Sequence, residues 1–534
     1  MVMPDHDVVV IGAGHNGLVS AVTLAQSGLD VLVLETANDP GGCIWTETLE
    51  TGHRLEHGAI DHSMILNIAR ELRLEDFGLE YVSREVMFGA GFADGQSLVF
   101  HQDLDETIES LSHCAPTDTS NYRMLAEVGS ALLSMADSFA EPPHFSDLAQ
   151  MATALPSNID LVRLLVSSSE AVAERHLENR CLRSAITMYG SHNQLPPYLP
   201  GTGLFALLLA ASHGGETARP VGGSVMLIKA LVGALESAGG ELRTGSPVTR
   251  ITESGECATV TISNCEELSS RFVISTVDLR RTVALLDSPP DHLCQAANNL
   301  SSGRFNVGEL KVDLALSSPS SIGFGSDADS ALWMLQERTG SLARSFAEIY
   351  LGELPTSPAM MWASPSATDH TASPVGQGTV WLSAFVPAKP SEGTWDKAFT
   401  DKATNWLLDG FAQITGHDLR SNTLSVHTTT PFDWEQRTGN PAGNPNHVDL
   451  TIDQLFSWRP PTGLNHRTGL QWLYLSGAGT HPGGGLSGLP GRNAATALLD
   501  DLSGEHTSLL NRFVNGSRDI FRSIRLFRAL RNFQ

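Results

Sequence analysis

Apolar residues along this chain come in short blocks separated by glycine and polar turns. Val8–Ile11 is a continuous apolar run, of the kind that forms a strand buried on both faces. Leu18, Val22 and Ala25 then recur at helical spacing, Gly28 stops that helix, and Val31–Leu34 is a second strand-like block. The pattern from Met87 to Phe100 predicts a hairpin turning at Asp94-Gly95. Residues 103–190 carry a helical pattern, punctuated by Pro116, Pro142, Pro143 and Pro156. Ser224 is placed to cap a helix running to Ser237, which Gly239 and Gly240 close. Strands are expected at Val248–Ile251, Ala258–Ile262 and Phe272–Ser275, at Leu310–Leu316 and Val380–Val386, and at Leu473–Leu475 before a helix through Asn493–Leu499. No internal repeat emerges.

The first turn carries chemistry. Gly12, Gly14 and Gly17 form G-x-G-x-x-G between strand and helix, a turn that seats a pyrophosphate on a helix N-terminus. Glu35 ends the second strand of the unit, the place from which a carboxylate accepts hydrogen bonds from a ribose diol. Gly41 and Gly42 open a G-G-x-x-x-T stretch ending at Thr46, a second close approach of backbone that suits FAD better than NAD. Seven glycines crowd the stretch from Gly477 to Gly491, again between a strand and a helix. The Gly89-Ala90-Gly91 triplet has no helix after it and is not a second nucleotide site.

Composition narrows the function. At 534 residues the chain is long enough for two or three domains. A net charge of −25 argues against nucleic acid, which is bound by clustered Lys and Arg. The six cysteines (43, 114, 181, 257, 265, 294) show no metal spacing and read as reduced thiols. The longest apolar run, Leu204–Ala211, is far short of the roughly 20 residues a membrane span needs. It reads as a core helix or as the wall of an apolar substrate site. A soluble, cytoplasmic protein is expected, with at most peripheral membrane contact.

Together, Val8–Thr46, Gly58–His62, Pro220–Ile251 and Leu473–Ala494 resemble the FAD-dependent phytoene desaturase-like group of the flavin amine oxidase superfamily. Ala59-Ile60-Asp61-His62 and the GAGTHPGG and LPGRNA stretches are most similar to desaturase-like carotenoid ketolases, and Val448–Leu455 followed by Arg459-Pro460 is a looser match. The resemblance implies an α/β fold, a Rossmann-type FAD-binding domain with an inserted substrate domain of mixed β-sheet and helices. The expected division is 1–86, 218–295 and 441–510 for FAD, and 87–217 and 296–440 for substrate. A basic amphipathic helix follows at 511–534, with Arg518, Arg522 and Arg525 on one face, able to pack on its own domain, a partner subunit or anionic lipid. Gly12, Gly14 and Gly17 are expected at the pyrophosphate, Glu35 at the ribose, Gly41 and Gly42 near the phosphates and Val248 near the adenine. Gly477, Gly479 and Gly485 are expected beside the pyrophosphate and ring, with Leu489 starting a helix whose positive end faces the ring.

Three functions are compatible. The first is a dehydrogenase, desaturase or ketolase passing hydride from an apolar substrate to flavin, with carotenoids and other polyenes as candidates. The second is an oxidase of an amine or other small specialised metabolite, for which Tyr189, Trp434, Trp458, Arg219 and Arg459 are the candidate pocket residues. The third is a non-enzymatic binding protein. Asp61 and His62 are the candidate catalytic groups, with His481 behind them, and both also suit purely local hydrogen bonding. With no second dinucleotide unit, dioxygen or a quinone is the expected electron acceptor.

Overall fold

The computed structural model describes residues 4–138, 142, 160–255, 257–324, 326–460 and 465–503. The expected helix at 511–534 lies outside them.

Two seven-stranded sheets organise the chain. In the first, Glu241–Arg243, Val31–Leu34, His6–Ile11 and Glu267–Ser275 run parallel in that order. Val8 and Val10 point to one side, into a core shared with the helices His15–Gln26, Val225–Ser237 and Leu489–Ser503. Val9 and Ile11 point to the other, against Ile251, Val260 and Leu293. With both faces covered, every position of Val31–Leu34 is buried, and a continuous apolar run is what such a strand needs. Leu473–Leu475, near the far end of the chain, returns to pair parallel with Val273–Ser275. The antiparallel hairpin Val248–Ser254/Cys257–Ile262 extends the other end of Glu267–Ser275.

The second sheet runs Thr423–Thr429, Val307–Leu316, Gly378–Pro387, Ala359–Ala363, Leu332–Gln336, Val86–Phe92 and Ser97–His101. Only the Leu332–Gln336/Val86–Phe92 pair is parallel. Leu310, Val312 and Leu314 pack with Trp333 and Trp362 on the helix Lys397–Thr415. The intervening Glu309, Lys311 and Asp313 therefore lie on the opposite face. The hairpin turns at Asp94-Gly95 as expected, Gly95 holding φ +84°. Gly89 and Gly91 are strand residues, where an added Cβ would meet the rings of Trp333 and Phe324 at 2.4 and 2.5 Å. The apolar run 204–211 folds as a short 3-10 turn and one turn of α-helix, burying Ala206, Leu207, Leu209 and Ala210 in the helical core beside this sheet.

One local expectation is corrected. Ser224 sits at the start of the helix Val225–Ser237, but its hydroxyl caps nothing there and donates to the Ala59 carbonyl at 2.7 Å. The helix start is satisfied from the Thr46–Thr48/Arg54–Glu56 hairpin instead, Ser224 N–H donating to Glu56 Oε1 at 3.1 Å and Val225 N–H to Thr46 Oγ1 at 3.0 Å. Among the described residues no helix is long and apolar enough to cross a membrane.

Candidate active site

The glycine turn is closed by sterics. Gly12 holds φ +100°, and a Cβ on Gly17 would stand 2.0 Å from the Gly12 carbonyl oxygen. Ala13 N–H donates to Glu35 Oε2 at 2.7 Å and Ala37 N–H to Oε1 at 2.9 Å, so Glu35 clamps the glycine turn to the end of its own strand. Gly41 N–H donates to the Ala13 carbonyl at 3.0 Å, and Ser246 N–H, just before the Val248 strand, donates to the Glu35 carbonyl at 2.8 Å. Gly42 follows, in left-handed backbone beside Gly14. These contacts bring Gly12, Gly14, Gly17, Glu35, Gly41, Gly42 and the start of the Val248 strand to one end of the first sheet.

The distant glycine block arrives at the same place. A Cβ at Gly477 would stand 2.4 Å from the Thr276 carbonyl, and Thr276 donates its hydroxyl to the Ile11 carbonyl at 2.7 Å. Thr276, which no sequence pattern singled out, thus joins the two blocks. Gly491 lets the helix Leu489–Ser503 press on the first helix, its hypothetical Cβ 2.2 Å from the Asn16 carbonyl. Arg459 pins the loop between them, donating through Nη2 to the carbonyls of Ala478 (2.6 Å) and Asn446 (2.7 Å). Around these loops lie buried polar atoms without a protein partner: His15 Nε2, Asn16 Oδ1, His62 Nε2 and His447 Nδ1. Burial pushes His15 and His447 down to about 4 and His62 to about 3, so all three rings are neutral at pH 7. A glycine cradle, a helix N-terminus without a side-chain cap and neutral imidazoles that each keep one nitrogen without a protein partner fit a bound dinucleotide.

Next to this cradle, Asp61 Oδ2 accepts from Arg84 Nη2 at 2.6 Å and Oδ1 from Ser63 N–H at 3.0 Å. Burial pushes the Asp61 carboxyl up, but Arg84, Ser63 and Arg219 outweigh it and hold it below the ordinary 3.8. Asp61 is therefore an ionised carboxylate and a weak base. His62 is held by its backbone, donating to the Ala218 carbonyl at 2.8 Å, while Nδ1 lies 3.4 Å from the Tyr81 hydroxyl. Arg219 is buried, bonded through Nη1 to Thr368 Oγ1 at 3.0 Å, with Nε and Nη2 unpartnered. Burial and the neighbouring Arg84 lower it to about 9.

The five pocket candidates do not assemble. Trp458 is 45% exposed, Trp434 lies edge-on to Trp45 at 6.3 Å, and Tyr189 packs against Phe88 at 4.8 Å. Arg459 is committed to backbone carbonyls, and of the five Arg219 and Tyr189 lie near Asp61. His481 is buried within the glycine loop.

Glu56 gives a test of this region that needs no substrate. Burial lifts its carboxyl from 4.5 to about 7, despite hydrogen bonds from Thr46 and Ser224. The folded state then holds a proton the unfolded chain has released, so stability falls as pH rises from 4.5 to about 7. Glu56→Gln is expected to flatten that slope and to stabilise the protein above pH 7 by on the order of 3 kcal/mol. Thermal melts of both proteins at either end of the window check it; parallel curves would contradict the assignment.

A match to the family of flavin containing amine oxidoreductases spans residues 17–341, and the chain belongs to that family. It is an FAD-dependent oxidoreductase of α/β fold. Among curated proteins it is 25% identical to mouse (Mus musculus) pyridine nucleotide-disulfide oxidoreductase domain-containing protein 2, over 93% of this chain and 94% of that protein. It is 24% identical to the lycopene-forming phytoene desaturase of Pantoea ananas, over 92% and 99%. Among solved structures, cyclohexylamine oxidase from Brevibacterium oxydans superimposes with a TM-score of 0.61 at 18% identity, over 94% of this chain and all of that one.

Proposed function

We propose that this protein dehydrogenates, desaturates or ketolates an apolar substrate of the carotenoid or polyene type, with dioxygen or a quinone as electron acceptor. The observation that carries the reading is the fate of the amine-pocket candidates: Trp434 packs edge-on to Trp45, Trp458 is half-exposed and Arg459 is consumed by the glycine loop, so that no aromatic pair joins Tyr189 and Arg219 beside Asp61 among the contacts described. The end-to-end likeness to a phytoene desaturase points the same way.

In this reading residues 1–86, 218–295 and 441–510 form the FAD-binding part, and 87–217 and 296–440 the substrate part. Gly12, Gly14 and Gly17 would hold the pyrophosphate, Glu35 the ribose, and Gly41 and Gly42 the phosphates. Val248 would lie near the adenine, and Gly477, Gly479, Gly485 and Leu489 along the ring side. When bound, FAD supplies a two-electron acceptor. The chain's own part is orientation and electrostatics. Asp61, kept ionised by Arg84, would stabilise positive charge developing on the substrate carbon, and His62, neutral, would offer a hydrogen-bonding edge without adding charge.

Arg219, with two unpartnered nitrogens, favours the second reading, a small substrate carrying an anionic group. Anaerobic mixing of the flavin-loaded protein with phytoene or lycopene in micelles, and separately with leucine, a small amine that carries a carboxylate, tests both. Bleaching of flavin absorbance by the polyenes is expected; bleaching by the amine alone, or by neither polyene, overturns the proposal.

A further inference from the structure

The polar face of Val307–Leu316 is buried, and it holds a chain of charges that the site above does not use. Lys311 is the one buried lysine of the chain's five; Lys229, Lys389, Lys397 and Lys402 are exposed. Its ammonium lies 3.6 Å over the Trp381 ring, whose indole N–H donates to the Gly58 carbonyl at 3.1 Å, in the segment that leads to Asp61. Lys311 Nζ donates to the Leu382 carbonyl at 3.1 Å and stands 3.5 Å from Asp313 Oδ1, while Asp313 Oδ2 forms an ion-pair contact of 3.4 Å with His57 Nδ1, which also lies 3.3 Å from the Thr429 hydroxyl. His57 Nε2 stands 3.0 Å from Glu47 Oε2. Lys311, Asp313 and His57 are buried at 2%, 1% and 3% exposure, and Glu47 reaches solvent at 40%.

A histidine bridging a buried carboxylate and a surface one, one ring nitrogen to each, can take a proton on one side and release one on the other. We propose that Lys311, Asp313, His57 and Glu47 form a proton relay between the interior of the site and water. One proton passes from the Lys311 ammonium to Asp313 and from Asp313 to His57 Nδ1. The N–H at Nε2 then breaks, its proton goes to Glu47, and Glu47 releases it to solvent. No electrons move. A proton shed within the site reloads the Lys311 amine, and a turn of the His57 ring restores the starting tautomer. The purpose rests on the dehydrogenase reading, in which a closed site sheds a substrate proton.

The surrounding groups keep the relay within reach of neutral pH. Burial lowers Lys311 to about 8, against the pull of Asp313 and Glu309. Burial also pushes His57 down, but Asp313 and Glu47 outweigh it and raise it, with Lys311 acting against them. Facing His57 are Lys311 and Asp313 from one strand, Glu47 from another, His427 from a third (3.7 Å from Glu47 Oε2) and the Trp45 ring, which carries Arg437 4.5 Å over its face.

The test needs no substrate, so its failure and that of the dehydrogenase reading are distinguishable. In flavin-loaded protein grown on isotope-labelled lysine, NMR measures how fast the Lys311 ammonium exchanges hydrogen with water. His57→Gln is expected to slow that exchange about tenfold or more, and Glu47→Gln, a surface change, to slow it several-fold. A merely structural His57 predicts the opposite, because a loosened site admits water and speeds exchange. Unchanged or faster exchange in both variants overturns the relay; if His57→Gln does not fold, Glu47→Gln alone decides.

Discussion

Gly14→Ala is expected to leave the flavin-free protein as stable as wild type and to weaken flavin binding at least tenfold, whereas Gly17→Ala is expected to damage both. The difference lies in what a methyl group meets. At Gly14 nothing stands within 4 Å of an added Cβ and φ is not left-handed, so the protein itself tolerates alanine. In the proposed reading the open side of that Cβ faces the pyrophosphate. At Gly17 the Cβ would stand 2.0 Å from the Gly12 carbonyl oxygen and 3.2 Å from Thr276 Cγ2. Gly12 cannot retreat, because its N–H is tied to the Leu34 carbonyl at 2.8 Å. Overpacking of this kind costs about 1–3 kcal/mol, felt with or without ligand. Melting temperature of the stripped protein and flavin titration separate the two effects. Gly14→Ala binding flavin like wild type would remove Gly14 from the pyrophosphate site.

The second large effect is expected at the Asp61–Arg84 pair. The Arg84 side chain is 1% exposed and Asp61 26%, and Arg219 adds a second buried guanidinium nearby. Asp61→Ala leaves two buried cations without their carboxylate and is expected to cost about 3–5 kcal/mol. Asp61→Ala with Arg84→Met should recover much of it. Asp61→Asn keeps the shape and should retain flavin while lowering turnover. The pH dependence has a definite sign. Because the folded carboxyl titrates below 3.8, the pair's contribution is fully present above that pH and is lost as pH falls through the folded value. The stability gap between wild type and Asp61→Asn should therefore be constant at neutral pH and close in acid. A gap that widens in acid, or Asp61→Asn turning over like wild type, would contradict this account.

Much of the first sheet and its glycine loops was legible in order along the chain. Each requirement there is local: a strand buried on both faces must be apolar, and a turn with left-handed backbone must be glycine. The second sheet and its helices were legible only as elements. Leu310–Leu316 reads as a strand by alternation, and its Lys311 and Asp313 were visible as the polar alternates. That this polar side is covered follows from register, Asp313 opposite Trp381 and His427, with His57 brought in from the opposite half of the chain. A lysine amid strand alternation, in a chain with only five, was the available signal. Arg84 carried none, since its importance comes wholly from meeting Asp61.

The order of residues was enough to specify the cofactor and the local path of the chain around it, because steric limits on backbone and the repeat of buried side chains act over a few residues. Long-range packing settled the rest: that Thr276 joins the two glycine blocks, that Glu56 and Thr46 rather than Ser224 satisfy a helix start, and that Arg459 serves the loop and not a substrate. Those outcomes depend on which distant groups share a buried space, where charge and hydrogen bonding are set by neighbours that no short stretch of sequence contains.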